Sequence, residues 1–258
     1  MTIDARHSPL GRVNALAKLA ATLVLGVALL LSIDPVSAGV SLALTLLLLP
    51  LARLPWRALW LRLWPIALAA VVAAGGTVLY GRPAGTTYAE WGVLRVSDGS
   101  IALALAILLR VLAIAVPSIV LFATTDPTDL ADALAQLARL PARFVLGALA
   151  GLRLVGLLID DWRELGHARR SRGVADAGRL RRFAGQTFAL FVLAIRRGTK
   201  LATAMEARGF GSSRARTWAR PSRLRARDAV VVLLAAAVAA AAVGAAMATG
   251  AWTFVLEL

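Results

Sequence analysis

"FVLGALAGLRLVGLLI" occupies residues 144–159, and a second apolar run, "FAGQTFALFVLAI", occupies 183–195. Between them stands "RRSRGVADAGRLRR" (169–182), with six arginines and one acid. Whether the two runs form a transmembrane hairpin decides the fold. A hairpin would carry those arginines across the bilayer, against the tendency of Lys and Arg to stay on the cytoplasmic side. It would also hold Arg153 in mid-span, at about 2.5–3.5 kcal/mol on an insertion scale. Both runs are shorter than the roughly 20 residues of a comfortable span. The prediction is therefore two long helices on the cytoplasmic side of the membrane, packed against its face and each other. One runs from Pro141 to Arg172 and the other from Leu180 to Arg208, each roughly 40–50 Å long, with 173–179 as the turn.

The rest of the chain is greasier. Of 258 residues, 59% are hydrophobic, and the mean hydropathy is +0.75. A soluble domain is about 45–50% apolar, and the excess here lies in long blocks, so a polytopic membrane protein is expected. Cysteine is absent, which excludes disulfides, thiolate metal sites and cysteine nucleophiles. The first apolar block lacks a small-residue cleavage site behind it, so an anchor is expected rather than a signal peptide.

Five spans are predicted: about 13–33, ending at Asp34-Pro35; 36–51, which is short; 63–80; 100–122, carrying Arg110 and Pro117; and 228–249. The last is alanine-rich, and its Gly244 and Gly250 are read as close-packing positions. Arg6, Arg12 and Lys18 at the N-terminus, and Arg53, Arg57 and Arg62 after the second span, mark the cytoplasmic side. The 81–99 loop, where Arg82 and Arg95 are balanced by Glu90 and Asp98, is outside. Trp56, Trp60 and Trp64 fit an interfacial aromatic belt. Residues 162–227 hold seventeen Lys and Arg against Glu164, Asp176 and Glu206, a net of +14 out of a whole-chain +15. That concentration beside the membrane favours a cytoplasmic face over nucleic-acid binding. Ahead of it a short helix, about 128–139, starts behind Asp126-Pro127, capped by Asp126 or Thr128.

Two Arg-Gly pairs end the long helices. In "AMEARGFG" (204–211), Arg208 takes the C-cap position, Gly209 the left-handed turn, and Phe210 folds back on Met205, as in a Schellman ending. In "RRSRGV" (169–174), Gly173 follows Arg172, and Val174 folds back on Ala168 and the Arg169 stem. Each arginine also suits the negative end of its helix dipole. Taken singly, each pair is an ordinary helix stop. The motif recurs with its arginines 36 positions apart, each at the tip of a long cytoplasmic rod. A guanidinium in that place offers five fixed donors to carboxylates and backbone carbonyls in a groove. Arg197, Leu201, Ala204, Met205 and Arg208 form one helical stripe leading to the second tip.

Other chemistry is sparse. No G-x-x-x-x-G-K-[ST] phosphate loop and no G-x-S-x-G nucleophile motif occurs. His7 and His167 stand in no metal-ligand pattern and read as surface residues. Asp160 and Asp161, about 100° apart on a helix, make a poor acid/base pair and read as solvated. Arg110 is expected to snorkel or to face the bundle interior.

In "TTDPTDLADALAQL" (124–137), "LAGLRLVGLLIDDWRELGHARRSRGV" (149–174) and "KLATAMEARGFG" (200–211), the chain resembles the transmembrane T component of energy-coupling factor (ECF) transporters, the CbiQ/EcfT family. The resemblance covers about 120–215 strongly and the flanking spans by order and hydrophobicity. It implies an all-α polytopic fold of about five transmembrane helices, with long cytoplasmic coupling helices between the fourth and last spans. The corresponding divisions are a transmembrane bundle (1–123), a coupling-helix region (124–227) and a C-terminal transmembrane helix (228–258). It implies that Ser171, Arg172 and Gly173 meet one cytoplasmic ABC-type ATPase and Ala207, Arg208 and Gly209 a second, with Leu201, Ala204, Met205, Glu206 and Phe210 supporting the second tip. Serine at 171 stands where the family often has alanine; both are small. A small substrate-binding membrane subunit, the S component, completes the implied complex, which imports a vitamin or a transition-metal ion. ATP and Mg would be held by the ATPases, and this chain would be a non-catalytic subunit without a cofactor in a prokaryotic plasma membrane, with its N-terminus cytoplasmic. The competing reading, a permease of a conventional ABC importer, requires an E-A-A-x-x-x-G loop, from which "MEARGFG" departs after Glu206-Ala207.

Overall fold

A computed structural model describes residues 9–81, 85–91, 94–173, 178–212 and 217–252. In chain order the helices are α1 (Ala15–Leu30), α2 (Pro35–Leu48), α3 (Trp56–Tyr80), α4 (Asp98–Ala123), α5 (Pro127–Gln136), α6 (Ala142–Ser171), α7 (Arg179–Ala207) and α8 (Ala226–Ala248). One antiparallel ribbon, β1 (Thr87–Trp91) and β2 (Leu94–Ser97), joins α3 to α4. The protein is an all-α polytopic membrane protein. Among the described residues α3, α4, α6 and α8 are long and apolar enough to cross a membrane. The expected first two spans are shorter: α1 and α2 have 16 and 14 residues, or about 24 and 21 Å. The run at 144–159, expected outside the bilayer, lies in the 30-residue α6, whose length and composition meet those of a span.

The chain divides into two compact units. The first comprises residues 1–130 and 222–258, in which α1 packs on α8, and α2 and α3 pack on α4. Its core is built from small side chains. Ala21, Leu25, Leu121, Ala235, Val238 and Ala239 form one cluster, as expected where helix backbones must approach closely without a hydrophobic driving force. Gly244 does not take part, because a Cβ there would meet nothing within 4 Å. Gly250, at φ +66°, ends α8, with Ala251 N–H donating to the Ala246 carbonyl. It is therefore a helix stop and not a packing glycine.

Because α1 and α2 are short, the turn between them is buried. Asp34 caps α2, accepting from the Ser37 amide (2.5 Å) and from the hydroxyls of Ser32 (2.5 Å) and Ser37 (2.8 Å). Pro35 takes the first helical position, where a missing N–H costs nothing. All three polar residues are under 3% exposed, so they satisfy one another in place of water. Arg110, half-buried at mid-α4, turns Nε and one terminal nitrogen into the bundle, where neither finds a hydrogen-bond partner among the described residues.

Three helix ends meet at one end of this unit. Buried Lys18 of α1 donates to the carbonyl (2.8 Å) and hydroxyl (3.0 Å) of Thr124, the C-cap of α4. Asn14 caps α1 with its side chain, and its own N–H donates to Asp228 Oδ1 (2.7 Å). Asp228 Oδ2 accepts from the Arg225 amide at the start of α8 (2.6 Å). The chain thus leaves the bundle after α4 and returns at α8 on the same side. The second Arg-bearing connection is shorter than expected. α3 begins at Trp56, so Arg57 and Arg62 lie within it, and Trp56, Trp60 and Trp64 line one exposed face. The 81–99 segment, read as a plain loop, contains the ribbon, with strands of five and four residues.

The second unit, residues 131–221, contains α6 and α7, of 30 and 29 residues, or about 45 Å each. They pack on each other through residues 161–169 and 182–197. The rings of Trp162 and Phe183 meet edge to face at 5.6 Å, and buried Gln186 donates to the Trp162 carbonyl (2.6 Å). Arg169 donates to the Arg182 carbonyl (3.2 Å).

Candidate functional site: two arginine-tipped helix ends

The end of α7 is a closed Schellman motif. Gly209 sits at φ +76°, its N–H donates to the Glu206 carbonyl (2.8 Å), and Phe210 N–H donates to the Met205 carbonyl (2.9 Å). Arg208 N–H donates to Ala204 and Met205 (3.3 and 3.1 Å). Carbonyls that a helix end leaves open are therefore satisfied by the chain itself. The Arg208 side chain is left to point outward. The residue is exposed and makes no ion pair among the described residues. Leu201 and Met205 are half-buried, whereas Ala204, Glu206 and Ala207 are exposed.

The end of α6 is built alike. Arg172 is the C-cap, Gly173 sits at φ +66°, and Gly173 N–H donates to the Arg170 carbonyl (3.1 Å). Ser171 bends its hydroxyl back to the Ala168 carbonyl (3.0 Å), so it presents a small surface, as alanine would. Ser171, Arg172 and Gly173 are all exposed. The expected return of Val174 onto Ala168 falls outside the described residues.

At Gly209 the space is open enough for a methyl group, whose nearest neighbour would be the Ser212 hydroxyl at 3.7 Å. The backbone conformation is the obstacle, since a left-handed turn costs an L-residue roughly 1–2 kcal/mol. Gly209→Val is accordingly expected to fray the last turn of α7, raising amide exchange at 208–210 by about 5–30-fold while the rest of the helix keeps its protection. Equal exchange in variant and wild type would show that the glycine does not set the tip.

With the two tips in view, comparison with known proteins is decisive. Residues 6–218 match the family model for CbiQ, described as a cobalt transport protein. The chain belongs to the CbiQ/EcfT family. It is 31% identical over 200 residues to the energy-coupling factor transporter transmembrane protein EcfT of Limosilactobacillus fermentum, covering 70% of this chain and 74% of the relative. The EcfT of Exiguobacterium sibiricum is 30% identical over 209 residues, 76% of this chain and 79% of its own. That of Streptococcus equi subsp. equi is 26% identical over 249 residues, 88% and 89%. This chain is thus the T component of an ECF transporter, a membrane-embedded transporter subunit.

Two features of this EcfT-like chain escape a reading by motif. Asp161 is not solvated: it is 6% exposed, and its Oδ1 lies 2.6 Å from an Arg197 terminal nitrogen. A carboxylate beside a second carboxylate, ahead of a basic stretch, gives no sign of which one turns inward; only the packing of α6 on α7 selects it. Asp160, its neighbour, stays at the surface and pairs with Arg163 (3.2 Å). Arg197, read as part of the docking stripe, is instead engaged with Asp161. His167 is at the surface as expected, within 2.9 Å of Arg170.

Proposed function

We propose that this T component is the mechanical link of an importer, joining two cytoplasmic ABC-type ATPases to a small substrate-binding S component. The observation that carries the reading is the pair of glycine-closed helix ends, each leaving an exposed arginine at the tip of a rod about 45 Å long. Ser171, Arg172 and Gly173 dock on one ATPase, and Ala207, Arg208 and Gly209 on the other. Arginine suits this task because its planar fork of five donors is preorganised for carboxylates and carbonyls. Leu201, Ala204, Met205, Glu206 and Phe210 shape the last turns behind the second tip.

The apolar faces of both rods receive the S component. Phe188, Phe191, Val192 and Ile195 are exposed along one stripe of α7, and Leu152, Val155 and Ile159 along α6. Exposed apolar area on this scale marks a partner or lipid surface. ATP binding and hydrolysis move the ATPase pair, the rods carry that motion to the S component, and a vitamin or transition-metal ion is released inward. ATP and Mg are held by the ATPases; this chain supplies no catalytic group and no cofactor site. The N-terminus and the arginine-tipped ends of the coupling helices lie in the cytoplasm, where the +14 segment belongs.

The test is to tag the chain, purify it from its own membrane in mild detergent, and identify what comes with it. Two ATPase subunits, identical or distinct, and a small apolar membrane protein are expected. A chain that purifies without any ATPase would overturn the proposal. The small protein, once identified, defines the cargo.

A further inference from the structure

Asp161 and Arg197 are 36 residues apart, the same separation as Arg172 and Arg208. Each member of the ion pair therefore lies 11 residues before the arginine of its own helix. Eleven residues are three helical turns to within about 20°, and about 16.5 Å of rise. Asp161 thus faces the same side of α6 as Arg172 does, and Arg197 the same side of α7 as Arg208. Arg172 closes α6 and Arg208 closes α7, so each arm runs from the pair to the C-terminal end of its own helix.

The pair differs from the surface ion pair beside it. The Asp161 side chain is 8% exposed and that of Arg197 37%, against 66% and 70% for Asp160 and Arg163. Asp161 Oδ2 is buried and has no hydrogen-bond partner among the described residues. A buried carboxylate held through a single oxygen depends on its one cation. Other contacts between the helices, Trp162 on Phe183, Gln186 on the Trp162 carbonyl and Arg169 on the Arg182 carbonyl, engage α7 closer to its start. Among these contacts the Asp161–Arg197 pair engages α7 farthest along, 11 residues beyond Gln186.

We propose that Asp161 and Arg197 are positioning residues that form the pivot of the coupling device, pinning the two rods at equivalent points so that each tip arginine stands on an arm of equal length. This rests on the tips being the docking points; the pinning itself is testable without any partner. With the pair intact, a displacement imposed at one tip turns the rods about a fixed point. With it broken, the rods slide past each other and the displacement is absorbed.

The absence of cysteine makes the full chain a ready background for paired labels. Spin labels on Ala168→Cys and Ala204→Cys, exposed positions near the two tips, report the tip separation by pulsed electron resonance in lipid nanodiscs. The wild-type pair should give one narrow distance distribution. Asp161→Asn or Arg197→Gln should widen it roughly twofold or split it, because the remaining charge is left unpaired. Arg197→Lys, which keeps the charge, should stay narrow, and the exchange Asp161→Arg/Arg197→Asp should restore a single narrow distribution. Unchanged distributions in both neutral variants overturn the pivot, as does widening that the exchange leaves in place. Should a neutral variant fail to insert, narrow distributions for Arg197→Lys and the exchange support the pivot, and wide ones overturn it. ATPase co-purification with the wild-type chain is scored separately, so loss of the docking reading is distinguished from loss of the pivot.

Discussion

Replacing Arg172 and Arg208 together by glutamate is expected to strip the ATPases from the purified complex while the chain still inserts into the membrane. Each change reverses the charge at the last turn of a helix, where the dipole already favours a cation by about 0.3–1 kcal/mol. That local cost is small, because both tips are exposed and their caps are made by backbone groups at Gly173 and Gly209. The large cost falls on docking. A guanidinium paired in a partner's groove, once replaced, leaves that groove's acceptors facing a carboxylate, a loss of about 2–5 kcal/mol per tip. Each tip alone then weakens ATPase binding by roughly 30-fold or more. Arg208→Glu is expected to act more strongly than Arg172→Glu. The measurement is the ratio of ATPase to tagged chain after purification, with membrane insertion as control. A double variant that retains its ATPases would remove both arginines from the docking site.

Asp228→Ala is expected to destabilise the transmembrane unit more than any tip substitution. The Asp228 carboxylate is 2% exposed and accepts from two backbone amides, Asn14 and Arg225. Without it both N–H groups lose a charged acceptor at a site that water barely reaches. Hydrogen bonds to a charged group contribute about 1.5–3 kcal/mol each, so the total is about 3–6 kcal/mol. In a chain of this size that lowers the melting temperature in detergent by roughly 10 °C. Asp228→Asn keeps one acceptor oxygen, so its loss should be about half as large. A melting temperature within about 2 °C of wild type for Asp228→Ala would show that α1 and α8 do not depend on this joint.

Much of the architecture could be read along the chain because its signals are local. Apolar blocks of spanning length, Asp34-Pro35 before α2, and Asp126-Pro127 before α5 are each set by residues a few positions apart. The Asp126 carboxylate accepts from the Thr128 amide (2.7 Å), as such a start requires. The helix end at Gly209 is of the same kind, since its hydrogen bonds span only three to five residues. The ribbon at 87–97 was missed because four or five residues per strand make a weak signal inside a loop.

By itself the sequence determined that the protein is a helical membrane protein, where its long basic helices stop, and that two arginines stand at those stops. Hydrophobic length, glycine's left-handed turn and the segregation of charge are properties of short stretches, and they do not wait on packing. Only the tertiary structure decided which polar groups leave water. Asp34 and Asp228 are buried joints, Asp161 is bound to Arg197 while Asp160 stays at the surface, and Lys18 closes the end of α4. These pairings join residues up to 214 positions apart. They exist because a buried charge must find a partner, and only the packed helices determine which partner is within reach.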